Sequence, residues 1–529
     1  MKAFWLRSIA LAHCLLLPLV STAADDDWAV YGHDLGGTRY SPLAQITPKN
    51  IHRLQQAWVF HTGDFTVAFG DHVRSGFETT PLLVDGRLLL TTAYNRIVAL
   101  DPATGGQLWA YDPKINRSGS YGDGLINRGL AAWVDASAAG RPCAARVFEA
   151  TIDARLVAID AQTGGACADF GLRGQVDLSA GVRNYHGAWY HMTSPPIVLD
   201  GVIVVGSAIN DNTEAEMPDG VVRGFDAHTG KLLWSWEPLE RPVGLPDGAW
   251  RTGAANAWSI LSADGKLHLI YVPTGSASPD YYGGLRPGDN HWANSVVALD
   301  SRTGKLAWGF QLVHHDLWDY DTAAAPLVTT MSMHGEPTPV LVAGNKTGRI
   351  YVLDPSTGHP VLPVEERPAP ASTLAGERAS PTQPFPTATP MLGRQSLPVT
   401  EAWGLTDKDR QACQADLAKL SGVDTFSPPS TQGVLAVPGN IGGINWSGFA
   451  WDRKHERLIV AVTNLPFRVQ MIPAAQFAAG NEGDFRGETA PQRGAAYAMV
   501  RAPSRSPSGL PCSPPPWGEL VLSMAATSP

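Results

Sequence analysis

One phrase, an apolar strand followed by D-x-x-T-G, recurs five times and sharply limits what the chain can become. It runs from Val98 to Trp109, Val157 to Gly164, Gly224 to Trp234, Val297 to Trp308 and Val352 to Gly358. The leading aspartates, Asp101, Asp160, Asp226, Asp300 and Asp354, lie 59, 66, 74 and 54 residues apart. Each interval holds four short strands and their loops, and self-similarity at that spacing marks a repeat architecture. Within a copy the strand stops at aspartate, and the turn closes on a glycine free to adopt positive φ. In three copies a tryptophan then enters the next strand. Each copy reads as one blade of an all-β propeller, and 54 glycines, 42 prolines and 17 tryptophans suit many tight turns around large aromatics. Trp109, Trp234 and Trp308 are expected to pack blade against blade, as scaffold.

The net charge of -9 offers no basic face for nucleic acid or anionic lipid. The first 24 residues read as a secretory leader: Lys2 and Arg7, a short apolar core from Ser8 to Val20 broken by Pro18, then small residues from Ser21 to Ala24. That core is too short for a spanning helix, no later segment is apolar enough, and His13 fits poorly before a lipid-anchored Cys14. Residues 25–529 are therefore expected as one exported, periplasmic propeller domain. Disulfides are permitted there. The stretches 146–151 and 155–160 read as a hairpin turning near Asp153, which folds Cys143 back onto Cys167, and Cys413 with Cys512 is the leftover pair. No C-x-x-C-H occurs, so no attached c-type haem is encoded. Residues 359–432 form a proline-rich insertion, expected as a surface excursion with a short helix over 406–420. The last residues, from Cys512 to Pro529, begin like a strand and stop without a turn.

Function is sought in residues that break the repeat. The octet from His314 to Asp321 concentrates two histidines and three aspartates in a chain only 17% charged. Glu78, Arg128, Thr193, Asp211, Trp258, Asp319 and Lys346 also sit where packing does not require them. Each has a plain structural account: Glu78 with Arg128 as an ion pair, Trp258 as a core aromatic, Lys346 as a turn residue. Blades, however, bring their inner strands to one axis. Together the set supplies a cation and hydroxyl for carboxylates, an aromatic floor for a planar ring, oxygen ligands for a hard cation, and a carboxylate base.

At these residues the chain resembles the pyrroloquinoline quinone (PQQ) dependent alcohol and sugar dehydrogenases, and within them the glucose, quinate and polyol branch. The resemblance extends from Asp27 to Gly518 and is carried by Asn127-Arg-Gly-Leu130, His314 to Asp319 and Ser380 to Phe385. It implies an eight-bladed propeller binding PQQ and calcium. Glu78, Arg128 and Thr193 would hold the quinone's carboxylates and edge, Trp258 would stack beneath it, and Asn440 would close the pocket. Asp211 matches the acidic calcium ligand. Ser276 stands where the family has a calcium-binding asparagine, and Asp319 borders the same ion. Asp319 would take the substrate's hydroxyl proton, while Lys346 would stabilise negative charge on the quinone oxygens. His314 and His315 would brace the octet rather than bind zinc.

Three departures accompany the resemblance. Gly122 and Asp123 replace the adjacent cysteines of methanol-oxidising relatives, which favours the sugar and polyol branch. The spanning helices of membrane-type glucose enzymes have no counterpart. Relatives continue beyond the motif at residues 514–518, so the last blades are expected to be incomplete. Without a haem motif, electrons would leave to a separate membrane quinone or soluble cytochrome. Two other readings stay open at this point: a truncated, inactive relative, and a propeller that only binds or assembles partners.

Overall fold

The computed structural model describes residues 28–64, 75–246 and 248–524, so the leader expected over residues 1–24 lies outside the described residues. Six antiparallel sheets follow one another along the chain. The first holds Leu82–Val84, Arg87–Thr91, Ile97–Leu100 and Gln107–Tyr111, and the second Ala131–Val134, Ala145–Thr151, Arg155–Asp160 and Gln175–Asp177. The third holds Ile197–Leu199, Val202–Val205, Val222–Asp226 and Leu232–Trp236, and the fourth Ser262–Asp264, Leu269–Pro273, Ser295–Asp300 and Leu306–Gln311. The fifth consists of Leu327–Met333, Glu336–Gly344 and Ile350–Leu353, and the sixth of Phe449–Asp452, Arg457–Thr463 and Gly518–Met524.

The sheets stack face to face, which explains why their middle strands are continuous apolar runs. All four residues of Ile97–Leu100 are buried, because a neighbouring layer covers both faces. Continuous apolar cores join first to second sheet, second to third, and so on to the sixth. The first strands of the second to sixth sheets lie side by side around a hub. Six sheets stack this way among the described residues, where the resemblance implies eight blades. Residues 28–38 cross the hub: Trp28 donates its backbone N–H to Leu83, and Leu35, Gly36 and Thr38 accept from Ala263, Val328 and Trp451. One segment thus ties the first, fourth, fifth and sixth sheets together.

The repeat is built as its sequence suggests. In all five copies one carboxylate oxygen of the aspartate accepts the backbone N–H groups two and three residues on, at 2.7–3.2 Å. The closing glycine of each lies at φ between 67° and 74°. Its missing side chain also makes room for a ring from the preceding repeat. A Cβ on Gly164, Gly304 or Gly358 would come within 2.6, 2.4 or 2.3 Å of Trp109, Trp234 or Trp308 respectively. Trp58, not singled out from sequence, does the same over Gly105. The indoles of Trp58, Trp234 and Trp308 each donate to the carbonyl just after the next repeat's aspartate, at 2.9–3.1 Å.

Both expected disulfides are formed. Cys143 and Cys167, with Cα atoms 5.9 Å apart, close the hairpin that pairs Ala145–Thr151 with Arg155–Asp160. Cys413 and Cys512 join the helix Asp407–Leu417, capped by the Thr406 hydroxyl, to the segment before the last strand. The insertion over 359–432 is less superficial than expected. Gln383 accepts the His314 backbone N–H, Glu377 pairs with the His315 ring at 2.8 Å, and the Ser427 carbonyl accepts the Trp318 indole N–H. It packs behind the octet because those buried polar groups need partners.

A further sheet, with strands in the order Val434–Ala436, Phe467–Pro473, Tyr497–Pro503 and Glu488–Ala490, interrupts the sixth blade and forms one wall of the central cavity. Among the described residues no helix is long and apolar enough to cross a membrane.

Candidate functional site

The inner strands deliver side chains to one place by a simple register. Glu78, Arg128, Thr193 and Trp258 stand three or four residues before the first strand of the first, second, third and fourth sheets. Asp319 and Asp321 precede the first strand of the fifth, and Trp446 that of the sixth. Links between later strands add Asp211, Ser276 and Lys346. A cavity of about 510 Å³ lies where these loops meet. Glu78, Arg128, Asp211, Trp258, Ser276, Asp319, Lys346 and Asn440 all line it. Residues some 360 positions apart in sequence share one space.

Thr193 is the exception. Its hydroxyl donates to the Trp258 carbonyl at 3.2 Å, and its own carbonyl accepts the Arg128 backbone N–H at 2.9 Å. It thereby ties the segments that carry Arg128 and Trp258 together behind the cavity.

Arg128, almost fully buried, pairs with Glu78 at 3.0 Å and lies between two indoles, 4.8 Å from Trp446 and 5.4 Å from Trp258. Trp258 is held by its Nε1–H donating to Asp321 at 3.1 Å. Lys346 bridges Asp319 and Asp321, each at 2.6 Å. The second oxygen of Asp319 accepts from Arg501 at 2.9 Å. Both oxygens of Asp319 thus face cations, which hold the carboxylate in place. Asp319 also lies in the left-handed region, at φ 62°, as does His315 at 43°, so the octet winds tightly enough to bury all three of its acids.

The three acids of the octet have separate jobs. Asp316 accepts the Ser276 hydroxyl at 2.6 Å and the Tyr320 N–H at 3.1 Å, bracing the loop, and burial raises its pKa to about 6. Asp321 holds Trp258, Lys346 and the backbone N–H of Ser276. Asp319 lines the cavity between two cations, Lys346 and Arg501. Its carboxyl is raised by burial and by Asp321, against the opposing pull of Lys346 and Arg501. His314 and His315 bind Glu366 and Glu377 and serve as braces.

Asp211 opens onto the cavity beside several other carboxyl groups. Its removal from bulk water within the cavity, then the nearby Asp319 and Asp321, pushes its pKa to about 8. Asp280, linked to Asp211 through Asn212, is raised well above its ordinary value for the same reasons, burial first. Several carboxylates crowded out of water are the environment in which a hard divalent cation is bound by oxygen. Ser276 lies beside this group, with its hydroxyl shared between Asp316 and Asp321. The residues fit a flat, multiply acidic cofactor as well: an indole wall, two buried cations, and Asn440, whose side-chain oxygen is buried without a hydrogen-bond partner among the described residues. The residues present therefore suit both PQQ and calcium.

Three lining residues were not anticipated from sequence. Trp446 obeys the same three-residue register as Arg128, a signal that could have found it. Asp321 was visible as one of the octet's acids but had no assigned role. Arg501 comes from the additional sheet, where an arginine in the seven-residue strand Tyr497–Pro503 is the only hint.

Comparison with known proteins agrees with this geometry. Residues 28–527 match the family described as PQQ: glucose/ethanol/alcohol dehydrogenase, beta-propeller domain. Quinoprotein glucose dehydrogenase of Escherichia coli (strain K12) is 37% identical over 95% of this chain and 64% of its own length. The glycerol dehydrogenase large subunit of Gluconobacter oxydans (strain 621H) is 38% identical over 85% of this chain and 62% of its own. Quinate/shikimate dehydrogenase (quinone) of Acinetobacter baylyi is 35% identical over 96% and 65%. This chain spans just under two thirds of the length of these relatives. Among solved structures, quinohemoprotein alcohol dehydrogenase from Comamonas testosteroni superposes with a TM-score of 0.67 at 23% identity, over 94% of this chain and 65% of that one. With the repeat, the stacked sheets and the family match running together through residues 28–524, the chain belongs to the PQQ-dependent glucose/ethanol/alcohol dehydrogenase β-propeller family.

Proposed function

We propose that the chain is a PQQ- and calcium-dependent dehydrogenase that oxidises a sugar, polyol or cyclic hydroxy acid to the carbonyl compound. It acts in the periplasm, on an eight-bladed ring, and passes electrons to a separate quinone or cytochrome. The observation that carries this reading is the meeting of Trp258, Arg128, Asp211, Asp319 and Lys346 around one cavity.

Bound PQQ would supply the hydride acceptor, and calcium a Lewis acid beside it. The chain's own residues do the rest. Trp258 and Arg128 orient a flat acidic ring, and Asp211 with Ser276 would hold the cation. Asp319 accepts the proton of the substrate hydroxyl at one carboxylate oxygen. Lys346, held in place by Asp319 and Asp321, presents a fixed ammonium where negative charge develops. Burial keeps water from competing for these contacts.

Reconstitution tests the reading. The chain is purified, given PQQ and calcium, and assayed for dye reduction with glucose, quinate, glycerol and ethanol. Reduction with at least one polyol or hydroxy acid, dependent on both additions, supports it. Cofactor binding without turnover would point to an inactive relative, and no cofactor binding to a propeller that only binds or assembles partners.

A further inference from the structure

Among the described residues three cationic side chains line the cavity, and two are consumed by it. Arg128 is taken by Glu78, and Lys346 by Asp319 and Asp321. Arg501 is different because its guanidinium is divided. One edge, Nη1, holds Asp319 at 2.9 Å and the Tyr281 hydroxyl at 2.8 Å. The other edge, Nε and Nη2, is gripped by the two oxygens of Glu488 at 3.0 Å each. Glu488 stands opposite Arg501 on the edge strand Glu488–Ala490, with its side chain 64% exposed, whereas Arg501 is 14% exposed.

We propose that the Nε/Nη2 edge of Arg501 receives the carboxylate of a hydroxy-acid substrate, that Glu488 holds this edge as a displaceable stand-in, and that the chain thereby prefers compact hydroxy acids to neutral polyols. The inference rests on the PQQ-dehydrogenase reading above. Two parallel N–H donors in one plane match a carboxylate better than they match any neutral hydroxyl. The Glu488 end of the pair is exposed, so an entering acid can exchange with it from the solvent side. The geometry then does the positioning. Asp319 occupies the adjacent edge of the same guanidinium, so an acid docked on Nε and Nη2 brings a hydroxyl of its own ring or short chain beside the base. A neutral polyol leaves Glu488 in place and makes no charge-assisted contact with Arg501.

The test uses probes that cannot be oxidised at a hydroxyl, cyclohexanecarboxylate and its neutral isostere cyclohexanecarboxamide. Their affinities are measured by calorimetry on the PQQ- and calcium-loaded chain. The carboxylate is expected to bind at least tenfold tighter than the amide. Glu488→Gln should tighten the carboxylate up to about fivefold. Arg501→Gln and Arg501→Lys should weaken it about 10- to 100-fold while leaving the amide unchanged. Equal affinity for the two probes, or a carboxylate affinity that ignores both Arg501 variants, overturns the proposal. PQQ affinity measured on each variant checks its fold. If the Arg501 variants lose it, the wild-type ratio and Glu488→Gln decide. A chain that binds PQQ yet does not discriminate refutes this inference alone, whereas a chain that binds no PQQ refutes the reading beneath it as well.

Discussion

Asp211→Asn in the calcium-free chain offers a test of the crowded acidic site whose sign runs against intuition. Asp211 is pushed up to about 8 in the folded chain because its place within the cavity, away from bulk water, and the neighbouring Asp319 and Asp321 oppose its ionisation. In the unfolded chain it titrates near 4. Between those values the folded state binds more protons than the unfolded one, so stability falls as pH rises from about 4 to about 8. A full proton over that window amounts to roughly 5 kcal/mol for a group sealed from water, and because the Asp211 side chain is open to the solvent of the cavity, about 1–2 kcal/mol is expected. Removing the carboxyl should therefore be nearly neutral at pH 4.5 and stabilise the calcium-free chain at pH 8. Urea unfolding in EDTA, followed by tryptophan fluorescence at several pH values, measures the difference between the two proteins. Carboxylates held low by hydrogen bonds, such as Asp101 and Asp160, change stability only as pH falls through 4, outside the window. A difference that is constant across pH, or a variant less stable at pH 8 than wild type, would refute the reasoning.

Calcium supplies the complementary prediction: its binding at pH 7 should release about one proton from the wild type and almost none from Asp211→Asn, as read by calorimetry in buffers of different ionisation heat. Asp319→Asn should lower turnover by about 10²–10⁴-fold while PQQ affinity changes little, and loss of PQQ binding instead would mean its part is structural. Breaking the Cys143–Cys167 bridge with serines, which opens a loop of 24 residues, should cost about 3 kcal/mol in denaturant unfolding. Gly304→Ala places a methyl 2.4 Å from Trp234 at φ 67°, and should destabilise the chain by about 2–4 kcal/mol, more than Gly335→Ala in an open turn.

What could be read from the sequence depended on whether the physics was local. The D-x-x-T-G turn satisfies itself within five residues, so Asp101, Asp160, Asp226, Asp300 and Asp354 announced the blades. The tryptophans at 109, 234 and 308 followed, because a radial stack must fill each interface with something large. The hairpin around Asp153 likewise foretold the disulfide it closes. Convergence of Glu78, Arg128, Trp258 and Lys346 was legible only because a propeller puts equivalent positions of different blades around one axis.

The rest depended on contacts without local cause. Thr193 has the residue type and phase of a cavity residue, yet its hydroxyl turns to the Trp258 carbonyl, a choice set by backbone geometry. The insertion looked superficial by composition, but Glu377 and Gln383 complete the hydrogen bonding of the octet. Arg501 reaches Asp319 across 182 residues from a sheet that the repeat does not describe. The blade count of eight was likewise a property of the resemblance, since five D-x-x-T-G copies say nothing about blades that lack the phrase.

The central claim, that separate blades build one binding slot for a flat acidic cofactor, is tested most directly by a crystal structure of the chain loaded with PQQ and calcium. The account predicts a single tricyclic density lying on the Trp258 indole, with Arg128 and Lys346 at its polar rim and an ion beside Asp211. Density at another surface, or a cavity still lined as described but holding neither group at saturating PQQ, would contradict it.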